Sequence, residues 1–156
     1  MGAPYSKVQQ KTEDAMELLV SSTKGLELQG ITYFKGLSLK EIITPRMDIV
    51  AISAEAQRFG STMTGNWMVE GYLSIVGNKS DVTRGDHGRR VAAVEDILAR
   101  NDVEDIINNL QSLQDYTMFP RTFFPTRAER FIRDDELHTR FFFECKCAPS
   151  MLTLKQ

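Results

Sequence analysis

The residues with the most specific chemical meaning stand at the start of the chain, in the order Met1-Gly2-Ala3-Pro4-Tyr5-Ser6-Lys7. This order fits the acceptor rule for N-myristoylation, in which loss of the first methionine exposes a glycine and a hydroxyl residue stands at position six. The chemistry requires glycine because the transferase must reach an unhindered α-amine. We therefore predict a lipid chain on Gly2, with residues 1–5 flexible. The alternative is a chance match, since many proteins begin with Met-Gly.

A single myristoyl chain holds a protein on a membrane only weakly and reversibly, so a second signal is needed. Basic residues that could face acidic lipid headgroups occur near both ends of the sequence: Lys7, Lys11, Arg121, Arg127, Arg130 and Arg133. The last four alternate with phenylalanines, a composition that also suits stacked single-stranded bases. Alternatively, the phenylalanines lie in the core and the arginines remain in solvent or pair with the acidic residues at 134–136.

An acidic segment over 102–115 has no basic residue and could meet the basic segment of a neighbouring subunit. The two segments could equally pair within one molecule. Self-association would add avidity to weak membrane binding, and we predict a homo-oligomer whose protein partners the sequence does not identify.

The strong metal-ligand types are few: His87, His138, Cys145 and Cys147. Cys-x-Cys with one histidine gives at most three ligands and lacks the paired spacing of structural zinc sites. Phe141, Phe143 and the two cysteines alternate as on a buried strand face. The sequence thus predicts core thiols, reduced in an intracellular compartment, and no metal or cofactor.

Catalytic motifs give little support for an enzyme. The stretch 73–81 is similar to the guanine-specificity element of small GTPases, an apolar strand followed by Asn-Lys-x-Asp, yet the sequence has no phosphate-binding loop to cradle a nucleotide. Nucleophile and zinc-protease motifs are also missing from it. We predict a protein without catalytic residues, with a small carboxylate-based enzyme as an alternative.

Composition is that of an ordinary globular domain, with 156 residues, 42% of them hydrophobic and a formal net charge of −2. The slight negative charge disfavours nucleic acid as a partner, because phosphate binding needs cations. Apolar runs fall far short of the roughly 18 residues that a membrane span needs, and the N-terminal one is too short for a secretory signal.

Hydrophobic periodicity predicts helices over 6–22, 89–99 and from 102 onward, the first with a stripe at Val8, Thr12, Ala15, Met16 and Leu19. Alternation predicts strands over 26–29, 31–34, 37–40, 47–53, 67–76, 139–147 and 151–154. A loop or hairpin connection is expected over 57–66 and a loop over 77–88, and an irregular stretch with a short helix over 126–133 follows Pro120 and Pro125.

Because the strands and helices are segregated rather than alternating, these elements predict a single α+β domain over 1–156. Its sheet is mainly antiparallel with about five to six strands, after an N-terminal helix and with two consecutive helices after residue 88.

Together these features favour a non-enzymatic, N-myristoylated peripheral-membrane protein. It would act on the inner, cytoplasmic face of a membrane through self-association and partner recruitment, as small viral matrix proteins and some acylated adaptors do. The alternative is a soluble intracellular α+β domain that binds a small ligand or a peptide in an apolar pocket.

Overall fold

The computed structural model describes residues 7–36, 44–59, 62–78, 85–100, 102–103, 105–107 and 118–149. The helices are α1 (Lys7–Thr23), a 3-10 turn (Leu26–Leu28) and α2 (Asp86–Leu98), and the strands are β1 (Thr32–Lys35), β2 (Arg46–Phe59), β3 (Thr62–Asn78), β4 (Met118–Arg133) and β5 (Glu136–Pro149). Residues 103 and 105–107 are also helical. The α+β class predicted from the sequence is confirmed.

The five described strands form one sheet in the order β1-β2-β3-β5-β4. Only β1 and β2 run parallel, and the other three pairs are antiparallel. β3 and β5 pair along twelve residues, from Trp67 opposite Cys147 to Asn78 opposite Glu136. This long central pairing fixes which side chains share a face, because successive residues of a strand point to opposite sides.

Both long helices pack on the same face of the sheet. The predicted stripe of α1 is buried, and Met16 and Leu19 join Met47 and Ile49 of β2 in one hydrophobic cluster. α2 contributes Val94, Ile97 and Leu98 to the same cluster. This face therefore holds the main apolar core, as the helical periodicities predict.

The aromatic stretch after Pro120 corrects one prediction. The irregular chain and short helix expected over 126–133 are wrong, because Met118–Arg133 is a continuous 16-residue strand at the edge of the sheet. Both prolines stand at shifts in the pairing with β5, one between Pro120 and Thr122 and one between Pro125 and Arg127. Proline is tolerated at edges and bulges, where its missing N–H costs no ladder hydrogen bond.

Three smaller predictions are wrong in whole or in part. The alternation at 26–29 forms a 3-10 turn, after which Gly30 turns the chain at a φ of 76°. The loop or hairpin connection expected over 57–66 is a hairpin connection, but its strands extend further than predicted, since β2 reaches Phe59, β3 begins at Thr62 and these two residues pair. The long loop expected at 77–88 is shorter at both ends, because β3 ends at Asn78 and α2 begins at Asp86. The ends of β2 and β3 contain small, polar residues that do not predict a strand, but pairing satisfies the backbone hydrogen bonds of these residues and makes them part of the sheet.

Several predictions lie outside the described residues. These are the lipid acceptor Gly2, the first residue of the helix predicted over 6–22, the strands over 37–40 and 151–154, and most of the acidic segment over 102–115. Arg121 lies within β4, but its side chain is outside the described part of the chain.

Candidate functional site

The face of the sheet that points away from α1 and α2 is rich in charged and aromatic side chains, and we call it the arginine face. Strand register defines it as four cross-strand rows: Arg46–Val76–His138–Phe131, Asp48–Ser74–Arg140–Glu129, Val50–Tyr72–Phe142–Arg127 and Asn78–Glu136–Arg133. A β-sheet of this kind normally carries solvated polar residues on one side. Here, however, several of the polar side chains are buried.

A buried ion cluster lies at one end of the arginine face. Arg46 donates to Asp48 through Nε at 3.1 Å, and its two terminal nitrogens bind both carboxylate oxygens of Glu136, with Nη2 to Oε1 at 2.9 Å. Arg46 and Asp48 are 6% and 4% exposed. The Glu136 carboxylate raises the pKa of Arg46, so this fork stays charged. The positive charge of Arg46 is matched by the carboxylates of Asp48 and Glu136, and the pair with Glu136 links β2 to β5.

Three further arginines place their guanidiniums over aromatic rings. The guanidinium of Arg140 is 3.8 Å from the ring centroid of Tyr72 and 4.9 Å from that of Phe131. Arg127 lies 4.1 Å above Phe142, and Arg133 lies 5.3 Å from Phe131. Cation–π attraction of this kind holds a guanidinium in place while its N–H edge remains available to an acceptor.

These stacked arginines are less well neutralised than Arg46. Arg127 has a long ion pair with Glu129, with Nε 3.5 Å from Oε1 and both side chains about half exposed, at 61% and 49%. Neither Arg133 nor Arg140 forms an ion pair with the residues that the structure describes, and Nε of Arg140 is buried without a hydrogen-bond acceptor. The arrangement can therefore bind an anion without first breaking a strong pair.

His138 lies between the buried ion cluster of Arg46 and the stacked arginines. Its ring is stacked on Phe131 at a centroid distance of 4.9 Å and an angle of 6°, and it is 5% exposed. Desolvation lowers the pKa of His138, and Arg46 and Arg140 lower it further, against the opposite effect of Glu136. Its ring nitrogens, like the hydroxyl of its neighbour Ser74, have no hydrogen-bond partner in the described structure. Burial therefore favours the neutral form of His138, although its Nε2 lies 3.6 Å from Oε1 of Glu136.

A β-bulge places the β4 side chains on this face. Phe124 pairs with Glu144 and Arg127 with Phe142, so β4 uses one more residue than β5 between these pairs. Without that extra residue, alternation would turn Arg127 toward the helix side of the sheet. Bulges commonly redirect side chains in this way. The irregularity at Pro125 therefore aligns Arg127 and Arg133 with Arg140.

The predicted basic residues do not share one surface. Arg127 and Arg133 belong to the arginine face, whereas Arg130, also exposed, pairs in register with Thr139 on the helix side of the sheet. Lys7 and Lys11 lie on α1, on that same helix side, with Lys7 exposed and Lys11 half-buried. The sheet thus separates Arg127 and Arg133 from Lys7, Lys11 and Arg130.

Sequence reasoning missed the most central member, Arg140, its ring partner Tyr72, and Phe142, the ring under Arg127. The signal was present in the alternation of β5, where His138, Arg140 and Phe142 occupy every second position opposite the apolar residues. Of the phenylalanines expected in the core, Phe131 is half-buried beneath arginines. Phe131 is thus partly buried, as expected for a core residue, and also lies beside arginines, as expected for a binding surface.

The cysteines follow the core prediction. Cys145 and Cys147 are buried and free, on the helix face of β5, and Cys147 Sγ lies 3.3 Å from the hydroxyl of Thr12. Their sulfur atoms are 3.9 Å apart, closer than the ~7 Å of strand neighbours. In the described parts of the chain, no group of three or more His, Cys, Asp or Glu side chains is placed to hold a metal.

An open cleft of about 410 Å³ lies on the other side of the molecule, between the end of α1 and α2. Its charged rim includes Arg89 and Arg100. Each is bound to an aspartate of its own segment, Arg89 to Asp86 and Arg100 to Asp102, the latter through two hydrogen bonds of 3.0 Å. The cleft therefore offers an anionic ligand less free positive charge than the arginine face does.

No helix in the described ranges has the length and apolar character of a membrane span. Comparison with known proteins gives no further constraint, since no family model matches the chain and no curated protein is significantly similar to it.

Proposed function

We propose that this protein is a non-enzymatic peripheral-membrane protein that binds anionic lipid headgroups through its arginine face. A myristoyl chain on Gly2 would supply the second anchor, and self-association would add avidity on the inner face of the membrane. The single observation that carries the proposal is the set of three stacked guanidiniums, Arg127, Arg133 and Arg140, on the sheet face opposite the helices.

Energetics supports a need for both anchors. An arginine near an anionic membrane contributes about 1 kcal/mol, so three give only a weak interaction. One myristoyl chain is likewise marginal, with an association constant of roughly 10⁴ M⁻¹. Two weak anchors on one molecule act together, because the second binds at high effective concentration once the first is engaged.

The stacking also favours lipid phosphate over single-stranded nucleic acid. Proteins that bind single strands offer free aromatic faces to the bases. Here the rings of Tyr72, Phe131 and Phe142 are each already covered by an arginine of the same chain. The guanidinium edges remain as donors, and they suit the phosphate oxygens of lipid headgroups.

The test is vesicle co-sedimentation with the full chain, made with and without N-myristoyltransferase. Intact mass should show one myristoyl group on the wild type and none on Gly2→Ala. Binding to vesicles of phosphatidylcholine with phosphatidylserine should exceed binding to phosphatidylcholine alone and should weaken with salt. Gly2→Ala should weaken it as well.

A triple variant isolates the arginine face. Changing Arg127, Arg133 and Arg140 together to Gln should lower binding to anionic vesicles about a hundredfold. The matched control changes Arg89, Arg90 and Arg100 on the helix side, which alters the net charge equally and should retain most of the binding. Equal losses in both variants would show a nonspecific charge effect and overturn the proposal.

Two other outcomes would also overturn it. One is a free or acetylated N-terminus together with vesicle binding that ignores salt. The other is micromolar binding of single-stranded oligonucleotides with a steep salt dependence and no binding of vesicles.

The alternative, a soluble ligand-binding domain, would use the cleft between α1 and α2. This alternative predicts that substitutions in the cleft, such as Ala93→Leu, abolish ligand binding, whereas substitutions on the arginine face do not.

A further inference from the structure

The long edge strand β4 is the most unusual surface outside the site. It has 16 residues, against the five to six of a typical strand, and of the described strands only β5 pairs with it. Residues 125–130 and 132–133 are exposed along it. A long edge presents a row of backbone N–H and C=O groups that can pair with another strand.

The two halves of β4 differ in their ability to accept a partner. The first half contains Pro120 and Pro125, each at a shift in register, which blunts the edge. The second half, 127–133, is free of proline and pairs regularly with Phe142 to Glu136 of β5. It also carries Ile132, a large apolar side chain that is 57% exposed. A partner strand can therefore pair with β4 only along its second half, 127–133.

Charge decides the register if the partner is a second copy in antiparallel orientation. A two-fold axis at Arg130 would place Arg130 opposite its own copy and Arg127 opposite Arg133 of the partner subunit. An axis at Glu129 would place two glutamates opposite each other. Like charges directly opposite one another in a sheet are destabilising.

We propose that 129–133 pairs with the same segment of a second copy, antiparallel, about a two-fold axis at Phe131. In this register Glu129 stands opposite Arg133 of the partner subunit, twice by symmetry, and the two Phe131 residues meet at the centre. Ile132 stands opposite Arg130 of the partner subunit, whose aliphatic stem can cover it. Every charged residue in the segment thus avoids a like-charged partner.

This inference rests on the proposed function and names the surface by which self-association occurs. Edge pairing extends one sheet across two molecules and preserves the alternation of its faces. The arginine faces of both copies would then be continuous, with six stacked arginines in place of three. Dimerisation doubles the number of weak anchors that one particle brings to the membrane, and this raises its avidity.

Charge reversal provides the test, with mass measured by sedimentation equilibrium on the full, unacylated chain without lipid. Glu129→Arg and Arg133→Glu should each weaken the dimer about tenfold, and the double variant should restore it, because the opposite charges then meet again. Within one molecule these two residues lie four apart on a strand, so the rescue cannot come from an internal pair. Ile132→Arg, which places a like charge opposite Arg130 of the partner subunit, should also dissociate the dimer.

Matched controls on the helix side are Glu95→Arg and Arg90→Glu, exposed and half-exposed residues of α2 that change the net charge equally. They should leave the dimer intact, and circular dichroism with thermal melting checks that every variant folds. Glu129→Arg needs this check most, since it stands beside Arg140.

Each remaining outcome has a separate meaning. A wild type that stays monomeric overturns this inference and self-association, while vesicle binding by the arginine face is measured independently. A dimer that ignores the reversals overturns the edge register alone. A dimer strengthened by Glu129→Arg would show that β4 meets an acidic surface, such as the 102–115 segment of a neighbour, and would also overturn the register.

Discussion

The carboxylate of Glu13 accepts a hydrogen bond of 2.9 Å from the backbone N–H of Ala51 in the core between α1 and β2. Gln9, one turn earlier, donates to the carbonyl of the same residue at 2.9 Å. The strand pairing shifts between Ala51 and Ser53, where β2 contains an extra residue. Two side chains of α1 thus satisfy both backbone groups of Ala51 next to this bulge and fix the helix on the sheet.

Replacement of Glu13 should therefore be costly although it is a charged residue. Glu13→Ala leaves a buried N–H without an acceptor and should lower the free energy of unfolding by about 2–3 kcal/mol. Glu13→Gln keeps an oxygen at that place and should lose less. The control is Glu17→Ala, one turn later, whose surface pair with Lys35 at 3.4 Å contributes less than about 1 kcal/mol. Urea titration measures all three, and an equal loss for Glu13→Ala and Glu17→Ala would contradict the role of the hydrogen bond.

Gly71 occupies a point where β2, β3 and β5 pack closely. A Cβ there would lie 2.9 Å from Cζ of Phe143 and would also overlap the carbonyl oxygen of Val50. Because the carbonyl is backbone and cannot move away cheaply, Gly71→Ala should destabilise the fold by about 3 kcal/mol or more. The control is Gly25→Ala, whose Cβ would meet only the flexible end of Glu27, at 3.1 Å. Thermal melting should separate the two, and similar melting temperatures would contradict the packing argument.

The sequence predicts the apolar framework well because periodicity reports burial directly. The stripe of α1 and the alternation of β5 from Phe141 to Cys147 both appear as expected. β4 was missed because its prolines are local signals against a strand, while pairing with β5 and the edge position are long-range facts. Tertiary pairing decided that segment against its local composition.

The candidate site was only partly predictable for the same reason. Arg127 and Arg133 stand out in composition, but Arg140 becomes their neighbour only through the register of β4 and β5. Pairing Glu129 with Arg140 and Arg127 with Phe142 requires the bulge at Pro125, which no spacing in the sequence indicates. Composition therefore identifies Arg127 and Arg133 as basic residues, and only the register of the sheet shows that they share one face with Arg140.

Acid should destabilise the protein through His138. Burial lowers the pKa of this imidazole below its ordinary value of 6.5, so the unfolded chain binds the proton more readily than the native state. The contribution is fully present above pH 6.5 and is lost as the pH falls toward the native pKa. Glu136 and Asp48 oppose the shift, and Arg46 and Arg140 reinforce it.

The measurement compares wild type with His138→Gln by urea titration between pH 5 and 8. The stability advantage of the wild type should shrink as the pH falls, since the variant lacks the titrating ring. An advantage that grows toward acid would show that the histidine is charged in the native state.

The two cysteines should be protected from thiol reagents while the protein is folded. The hydrogen bond with Cys147, together with burial, raises the pKa of Cys145 well above the ordinary range, which keeps it as an unreactive thiol. The same hydrogen bond lowers the pKa of Cys147, so the protection of Cys147 comes from its burial. A colorimetric thiol assay should find neither sulfur accessible under native conditions and two per chain in denaturant. Rapid reaction of the native protein would contradict the buried placement. Thr12→Val, which removes the hydroxyl 3.3 Å from Cys147 Sγ, tests whether that contact contributes to the protection.

Stacking, rather than charge alone, should determine binding by the arginine face. Arg140→Lys keeps the charge but replaces a planar guanidinium between Tyr72 and Phe131 with a compact ammonium that cannot stack or offer a fork of N–H donors. Its affinity for anionic vesicles should fall about threefold to tenfold. Arg130→Lys, on the helix side of β4, is the matched control and should bind as the wild type does. If both lysine variants bind equally well, the face acts only as a diffuse positive surface, and the aromatic rings beneath the arginines serve packing instead.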